Sequence, residues 1–508
     1  MKAEDMTPVA KGGKLPGAGW TIPPNFVRAV LKGHSSLGLA FAAAIYIVCL
    51  TGTIAVFARE LQRWENPAAP RLARVSPEAV QRAYSTAALR AGPGLEHVYI
   101  TLPAPDLPRL MVTTDARGGE RDWIADGEGQ LIESRSIWTE FLTRLHINLH
   151  LPRTWGVFLV GMTGVALLSS LISGLLAHPR IFRDAFHLRI GGSRRLQEAD
   201  LHNRIGVWAL PFHLTVSLTG AFLGLTTLIV GVLGLAVFQG DVGKVYALFQ
   251  PPRPAQDERR APPIDLRPMF AEVAARNPQG RIDYVFLEHP TEMGGAALFN
   301  VTDGSTRLSQ TDAYAFDRSA RLYHAKRARE NNLGERVLAS LGTLHFGWFG
   351  GGAIKIGYGL LGLGLSYLAA GGVSIWLARR RDKGRPTSGW ERIWTAVVWG
   401  QPLALAASAA ATLVVPAPVI ALVVWGVISL AALSCAAWLP SSQIGRMSRT
   451  GTAALLILTA ILHITLRGGR DPAAWTVDGV LFALGVLMLS SLRRRRKSNP
   501  APIQVVPD

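Results

Sequence analysis

Six of the chain's twelve histidines, His34, His146, His150, His202, His213 and His345, stand at the ends of long apolar runs or inside them. A neutral imidazole is a common ligand for transition-metal ions. A b-type haem held between helices takes two axial imidazoles, one on each face of the porphyrin. Histidines shared among several apolar segments are therefore candidate haem ligands. A single histidine at a membrane edge needs no ligand to explain it, since an interfacial or capping role suffices; five at span ends call for more. His213 is the sharpest case, because a polar ring in mid-span is costly unless it has a function or a helix–helix hydrogen bond.

The chain is organised around residues 201–224, LHNRIGVWALPFHLTVSLTGAFLG. His202 and His213 are eleven positions apart, close to three helical turns. A straight helix puts both on one stripe, about 16 Å apart along its axis. Sorted by depth, His34 and His202 fall at the cytoplasmic edge, and His146, His150 and His345 at the outer edge. His213 falls near the middle. His146 and His150, at i and i+4, share one helix face and cannot sandwich one porphyrin. The outer pair is then His345 with either His146 or His150. The inner site takes His34 with either His202 or His213. Two haems at two depths would carry electrons across the bilayer. Zinc at His146 and His150 lacks a cysteine or a paired carboxylate. His97, His289 and His324 read as solvated, His178 as a helix-end residue and His187 as loop. His463 has no visible partner and is left unassigned.

The elements that position these residues follow from hydropathy and charge. The chain has 508 residues, 49% of them hydrophobic, and a net charge of +18. The cations cluster just outside apolar runs, as the positive-inside bias predicts, which argues against a nucleic-acid partner. Cys49 and Cys435 are the two cysteines, too few for a disulfide framework, a CxxC metal site or a CxxCH haem attachment. Residues 1–36 read as a cytoplasmic N-terminus with no cleavable signal peptide. Spans are expected at 37–57, at 140–177 with its preceding histidine segment, at 204–238 and at 338–378. Four more fall within 393–492, at about 393–414, 417–439, 452–467 and 474–492. Residues 178–203 and 379–392 read as basic cytoplasmic loops and 493–508 as a cytoplasmic tail. That gives eight spans with both termini inside, embedded in a lipid bilayer.

Residues 58–139 and 239–337 are polar and fall outside. Each reads as a helix followed by strands: SPEAVQRAYSTAALRAG with Ser76 as N-cap, then EHVYITLP and PRLMVTTD, then a hairpin at Asp126-Gly127. IDLRPMFAEVAARNP, RIDYVFLEHP and AALFNVT repeat the pattern. Two such units, each followed by a histidine-bearing span, indicate an internal duplication. Glycines at 357, 359, 362, 364, 371 and 372 allow close approach of a helix or a flat cofactor. The arginines between Arg180 and Arg204 read as a topology signal that could also receive an acidic electron donor. No GxGxxG, P-loop, HExxH or GxSxG motif falls on a strand–helix junction, so no nucleotide, flavin or hydrolase site is expected.

These residues resemble the PepSY-associated transmembrane proteins, iron-regulated inner-membrane proteins that include siderophore reductases. The resemblance rests on GHSSLGLAFAAAIYIVCLTG, on LHINLHLPRTWGVFLVGMTGVALLSSLISGLLAHPR, on DLHNRIGVWALPFHLTVSLTG, and on LHFGWFGG with GGVSIWLARRR. It covers about residues 20–382, and the two outside repeats resemble PepSY units. It implies an all-α polytopic protein of the bacterial inner membrane with two small α+β periplasmic domains between spans 1 and 2 and spans 3 and 4. It also implies b-type haems, here two, moving electrons to the periplasm, where ferric iron held by a siderophore is reduced. The family's axial histidines carry over onto His34, His146, His202 and His345, with His150 and His213 as additional positions. The cytoplasmic electron donor is not named by the sequence, and the last four spans lie outside the family pattern. The rival readings are a PepSY-bearing membrane protein that binds or regulates a partner without catalysis, and a siderophore or iron transporter.

Overall fold

The computed structural model describes residues 23–177, 194–252, 254–302 and 308–497. The expected N-terminal segment up to residue 22, most of the basic loop with His178 and His187, and the tail from 498 lie outside the described residues. The helices are α1 Pro24–Ala40, α2 Ala42–Ala55, α3 Ala58–Glu65, α4 Pro77–Ala91, α5 Ile137–Asn148, α6 Arg153–Ala177, α7 Arg194–Trp208, α8 Leu210–Gly224, α9 Thr226–Phe238, α10 Val242–Tyr246 and α11 Arg267–Arg276. They continue with α12 Leu333–Phe346, α13 Gly351–Asp382, α14 Ser388–Val414, α15 Pro418–Trp438, α16 Ser441–Leu466 and α17 Pro472–Lys497. The strands are β1 Leu95–Thr101, β2 Leu110–Ala116, β3 Gly119–Ala125, β4 Leu131–Glu133, β5 Arg281–Glu288, β6 Ala296–Thr302, β7 Thr311–Asp317 and β8 Leu322–Lys326.

Among the described residues, six helices are long and apolar enough to cross a membrane: α6, α13, α14, α15, α16 and α17. Two bent pairs, α1 with α2 and α7 with α8, bring the number to eight if each pair is one span. This is a multi-pass membrane protein. The last two helices are longer than their apolar cores suggest, because polar ends continue them: α16 opens on Ser441–Arg449 before its apolar stretch begins.

Two expected straight spans are not straight. The first, expected at 37–57, bends by 67° between α1 and α2 at Phe41. The third, expected at 204–238, bends by 71° between α7 and α8 at Ala209, and α9 is a separate short apolar helix. Pro211 lies just past the second break; it has no N–H to donate and its ring crowds the carbonyl four residues back. The bend falls between His202 and His213, so the two rings do not share the stripe a straight helix would give.

The two outside segments form one body. Their strands make a single antiparallel sheet ordered β4-β3-β2-β1-β5-β6-β7-β8, joined where β1 pairs β5 with Tyr99 opposite Phe286. The order reads alike from both ends, so the duplicated units meet about a local two-fold at their first strands. Two separate small domains, as the sequence reading expected, would leave β1 and β5 as open edges; pairing them removes both. Strand alternation sends Val98, Ile100, Val285 and Leu287 into one core under α4 and α11, with Phe270 and Phe299 among its large members. Tyr99, Tyr284 and His97 take the opposite, open face. The first unit starts as its sequence suggests, with Ser76 accepting from the Ala79 N–H and Pro77 in the first turn. The β3–β4 turn is held by the Asp126 carboxylate, which accepts from the Glu128 and Gln130 N–H groups.

Ion pairs fasten the sheet unit to the helices. Asp106 accepts from Arg59 at 2.8 Å and from Lys355 of α13 at 3.2 Å. Asp471, before α17, accepts from Arg63 at 2.5 Å and from Arg109 at 3.1 Å. Burial alone would raise both carboxyls, but the cations beside them hold both below the ordinary 3.8. A depressed carboxyl contributes stability that is full above its unfolded pKa and is lost as pH falls through the folded one. Acidification from pH 5 to pH 3 is therefore expected to loosen the sheet unit from the helices. The check is amide protection in residues 102–109 and 467–474, with the intrinsic pH dependence of exchange divided out, which should fall over that interval and stay flat from pH 5 to 7.

Candidate functional site

The first four spans pack as a bundle. α1 lies against α6, α6 against α8, α7 against α13 and α13 against α2. Two cavities open inside it. The one nearer the sheet is lined by His146 and His345 together with Gly52, Gly164, Gly220 and Gly362. The other, on the far side, is lined by His34 and His202 with Gly38, Gly174, Gly206 and Gly372. They share Ile45, Leu167 and Leu365 as a common wall.

Each histidine is brought in by a different helix: α5 for His146, α12 for His345, α1 for His34 and α7 for His202. Each ring rests against a glycine of a facing helix. A Cβ on Gly52 would come within 2.5 Å of the His146 ring, and one on Gly220 within 2.9 Å of the His345 ring. Gly174 lies 3.4 Å from the His34 ring and Gly372 3.6 Å from the His202 ring, measured the same way. At Gly52 and Gly220 any larger residue would push the imidazole aside, whereas at Gly174 and Gly372 an added carbon would only touch it. Of the glycines expected to give close approach on α13, Gly371 and Gly372 serve His202 and Gly362 lies against Thr53, whereas Gly357 has nothing within 4 Å.

The ring nitrogens are sorted by hydrogen bonding. His146 Nδ1 donates to the Val48 carbonyl at 2.9 Å. His34 Nδ1 donates to the Ser170 carbonyl at 2.9 Å, with Ser173 Oγ at 3.2 Å. His345 Nδ1 lies 3.0 Å from Thr219 Oγ1, which itself donates to the Thr215 carbonyl and so can accept from the ring. An imidazole that gives its Nδ1 proton to a carbonyl presents Nε2 as a lone pair. This is the usual support of a metal-bound histidine. The His146 and His345 rings have centroids 6.2 Å apart and planes 22° apart. Metal–imidazole bonds of about 2 Å on each side fit one metal ion between two such rings. A bis-histidine donor set, near-parallel rings and glycine walls fit a b-type haem in the sheet-side cavity, and His34 and His202 offer the same donor chemistry in the other.

Two expected ligands are not brought in. His150 lies beyond the end of α5, after Leu149, and both residues take positive φ of 54°. The i, i+4 relation with His146 therefore does not hold. The His150 ring turns back, bonds the Phe141 carbonyl through Nε2 at 2.8 Å and stacks on Phe141. His213 is fully buried on α8, packs edge-on to Phe212 and lines neither cavity. Of the six candidates, His146 and His345 thus line one cavity and His34 and His202 the other.

The cradle glycines Gly52 and Gly220 were not singled out by the sequence reading, yet a signal for them was present. His34, Gly38 and Gly52 have the spacing H-x3-G-x13-G, and His202, Gly206 and Gly220 repeat it. The bends at Phe41 and Ala209 each fall seven residues after the histidine. The duplication thus extends from the outside units into the membrane helices.

An uncharacterized protein of Pseudomonas aeruginosa is 28% identical over 393 residues, which cover 73% of this chain and 98% of the relative. The description of the PepSY-associated TM region matches residues 31–379, which take in both cavities, the sheet and all four lining histidines. On that match, across more than half its length, the chain belongs to the PepSY-associated transmembrane family.

Proposed function

We propose that this protein is a b-type haem oxidoreductase of the bacterial inner membrane that passes electrons from the cytoplasm to the periplasm and reduces a ferric siderophore there. The observation that carries the reading is the stacking of two histidine-paired cavities in one bundle, with Nδ1 of His34, His146 and His345 held by protein oxygens. A haem in each cavity would supply one-electron chemistry at two depths. The chain's own part is to hold Nε2 toward each cavity, to keep water out with apolar walls, and to space the two sites by Ile45, Leu167 and Leu365.

Orientation follows from charge. Arg379, Arg380 and Arg381 close α13 on the far side, with Arg28 and Lys32 near the start of α1, so that side is cytoplasmic. The sheet is then periplasmic, and its two halves are PepSY-like units. With those halves fused, a substrate has no cleft between two domains to enter. Its docking place is the open sheet face, which carries Tyr99, Tyr284, Phe286, His97 and His289. Ferric iron takes one electron and becomes ferrous, and the chelator's hard oxygens hold the less charged ion less tightly. The test is a reduced-minus-oxidised spectrum of the purified protein with haem quantitation. Two b-type haems per chain and a Soret band that shifts on reduction are expected. A colourless protein sinks the reading and favours a membrane receptor that uses the open sheet face for a peptide or protein.

A further inference from the structure

The last four helices, α14 to α17, lie beyond the matched family region, and they bury a polar cluster that the haem reading does not use. His463 of α16 is 2% exposed. Its Nε2 donates to the Trp64 carbonyl at 2.6 Å, and its Nδ1 lies 2.8 Å from Asp478 Oδ2 of α17. The other Asp478 oxygen accepts from the Trp64 indole N–H at 2.8 Å, and the His463 and Trp64 rings stack. Trp64 is one of four consecutive residues that all make buried polar contacts. Arg63 pairs with Asp471. Glu65 accepts from the N–H groups of Trp138 and Thr139 and from the Thr139 hydroxyl. Asn66 bonds Ser136 Oγ and the Arg135 N–H.

The last two contacts grip the first turn of α5, the helix that carries His146. Trp138 in that turn also gives its indole N–H to Ser408 of α14. Apolar packing follows the same route, since Trp64, Trp138, Phe141, Leu142 and Leu145 form one core with Leu405, Leu413 and Ala474. His146 lies eight residues past Trp138, about 12 Å along a rigid helix. The related helix α12, which carries His345, has no buried residue; its first turn is capped by Asn332 and by Glu335, which pairs with Lys326 of β8, and its Leu344 carbonyl accepts from Tyr358 of α13. The added spans therefore break the local two-fold and hold one of the two facing helices.

We propose that Trp64, His463 and Asp478 are positioning residues for His146: the last four spans fix the sheet-side ligand helix through α3. This rests on the haem reading for its spectroscopic test and on hydrogen bonding alone for its structural one. Asp478→Asn keeps every contact, since the amide oxygen accepts from Trp64 and the amide N–H donates to a neutral His463. Asp478→Ala leaves both partners buried and unpaired, which is costly.

The experiment compares the full-length wild type, Asp478→Asn and Asp478→Ala. Low-spin electron paramagnetic resonance and redox titration read the two haems, with the far-side one as internal reference. Amide exchange reads residues 137–148. The expected result for Asp478→Ala is a changed signal and potential of the sheet-side haem alone, with about tenfold faster exchange in α5; Asp478→Asn stays native. A folded Asp478→Ala with unchanged signals and unchanged α5 exchange overturns the proposal, as does an Asp478→Asn that behaves like it. Should Asp478→Ala not accumulate, Trp64→Phe, which removes the indole N–H bonded to Asp478, is read the same way, and native values there overturn the proposal equally. A haem-free wild type would defeat the functional reading, while α5 exchange would still decide the clamp.

Discussion

Alanine at His345 is expected to cut the haem content from two per chain to one and to stop ferric reduction on the sheet side. His345 is one of two imidazoles in the sheet-side cavity, and its ring lies 6.2 Å from that of His146. Among the described residues no second histidine lines that cavity beside His146 once His345 is gone. His150 cannot take its place, because its ring is turned back onto Phe141 and its Nε2 is bonded to a carbonyl. The far-side pair has its own helices and its own Nδ1 support through Ser170, so one haem should remain. The variant should fold, since α12 has no buried residue to lose. Haem quantitation by pyridine haemochrome and periplasmic ferric reduction in intact cells measure both halves. Two haems retained in His345→Ala would end the assignment of this residue as an axial ligand.

Valine at Gly52 is expected to remove the same haem without touching a ligand. The Cβ alone would lie 2.5 Å from His146 Cε1 and 2.9 Å from its Nδ1, closer than real Cβ contacts come. The ring cannot swing away freely, because Nδ1 is bonded to the Val48 carbonyl one turn back on the same helix as Gly52. Either that bond breaks and the ring leaves its place, or α2 and α5 separate. Overpacking of this kind costs about 1–3 kcal/mol, a small part of the stability of a protein this size. The fold should survive while the metal geometry does not. Gly357→Ala is the control, since nothing lies within 4 Å of its added carbon. Gly357→Ala should keep two haems and Gly52→Val one. Equal haem content in the two variants would show that the glycine cradle does not set the histidine position.

The two predictions separate what each part of the chain contributes. His345 tests the donor and Gly52 tests the space around its partner. The clamp through Asp478 tests the support of the helix that carries the partner. A defect confined to the sheet-side site in all three would place them on one structural route from the last four spans to the cavity.

Much of this was legible in the residues themselves. Hydropathy located the apolar spans, and loop charge suggested their direction. Strand alternation found β1, β2, β5 and β6, and Ser76 marked the start of α4. The four cavity histidines were among the six candidates. These are local properties: a run of apolar side chains, a capping hydroxyl or a two-residue alternation is fixed by neighbours in sequence. What spacing could not decide was which rings meet. His146 and His150 are equivalent on an ideal helix, and only the left-handed pair Leu149 and His150 separates them. His202 and His213 share a stripe only if the helix is straight, and the bend at Ala209 breaks it. The fusion of two outside units through β1 and β5 joins strands some 180 residues apart in the chain. His463 found its partners in Trp64 and Asp478, one of them 399 residues away. The sequence by itself determined the spans, the repeated unit and the supply of imidazoles, because each depends on adjacent residues. Tertiary structure alone decided which histidines line one cavity, their glycine walls and the grip on α5, because each depends on helices distant in the chain packing at one depth.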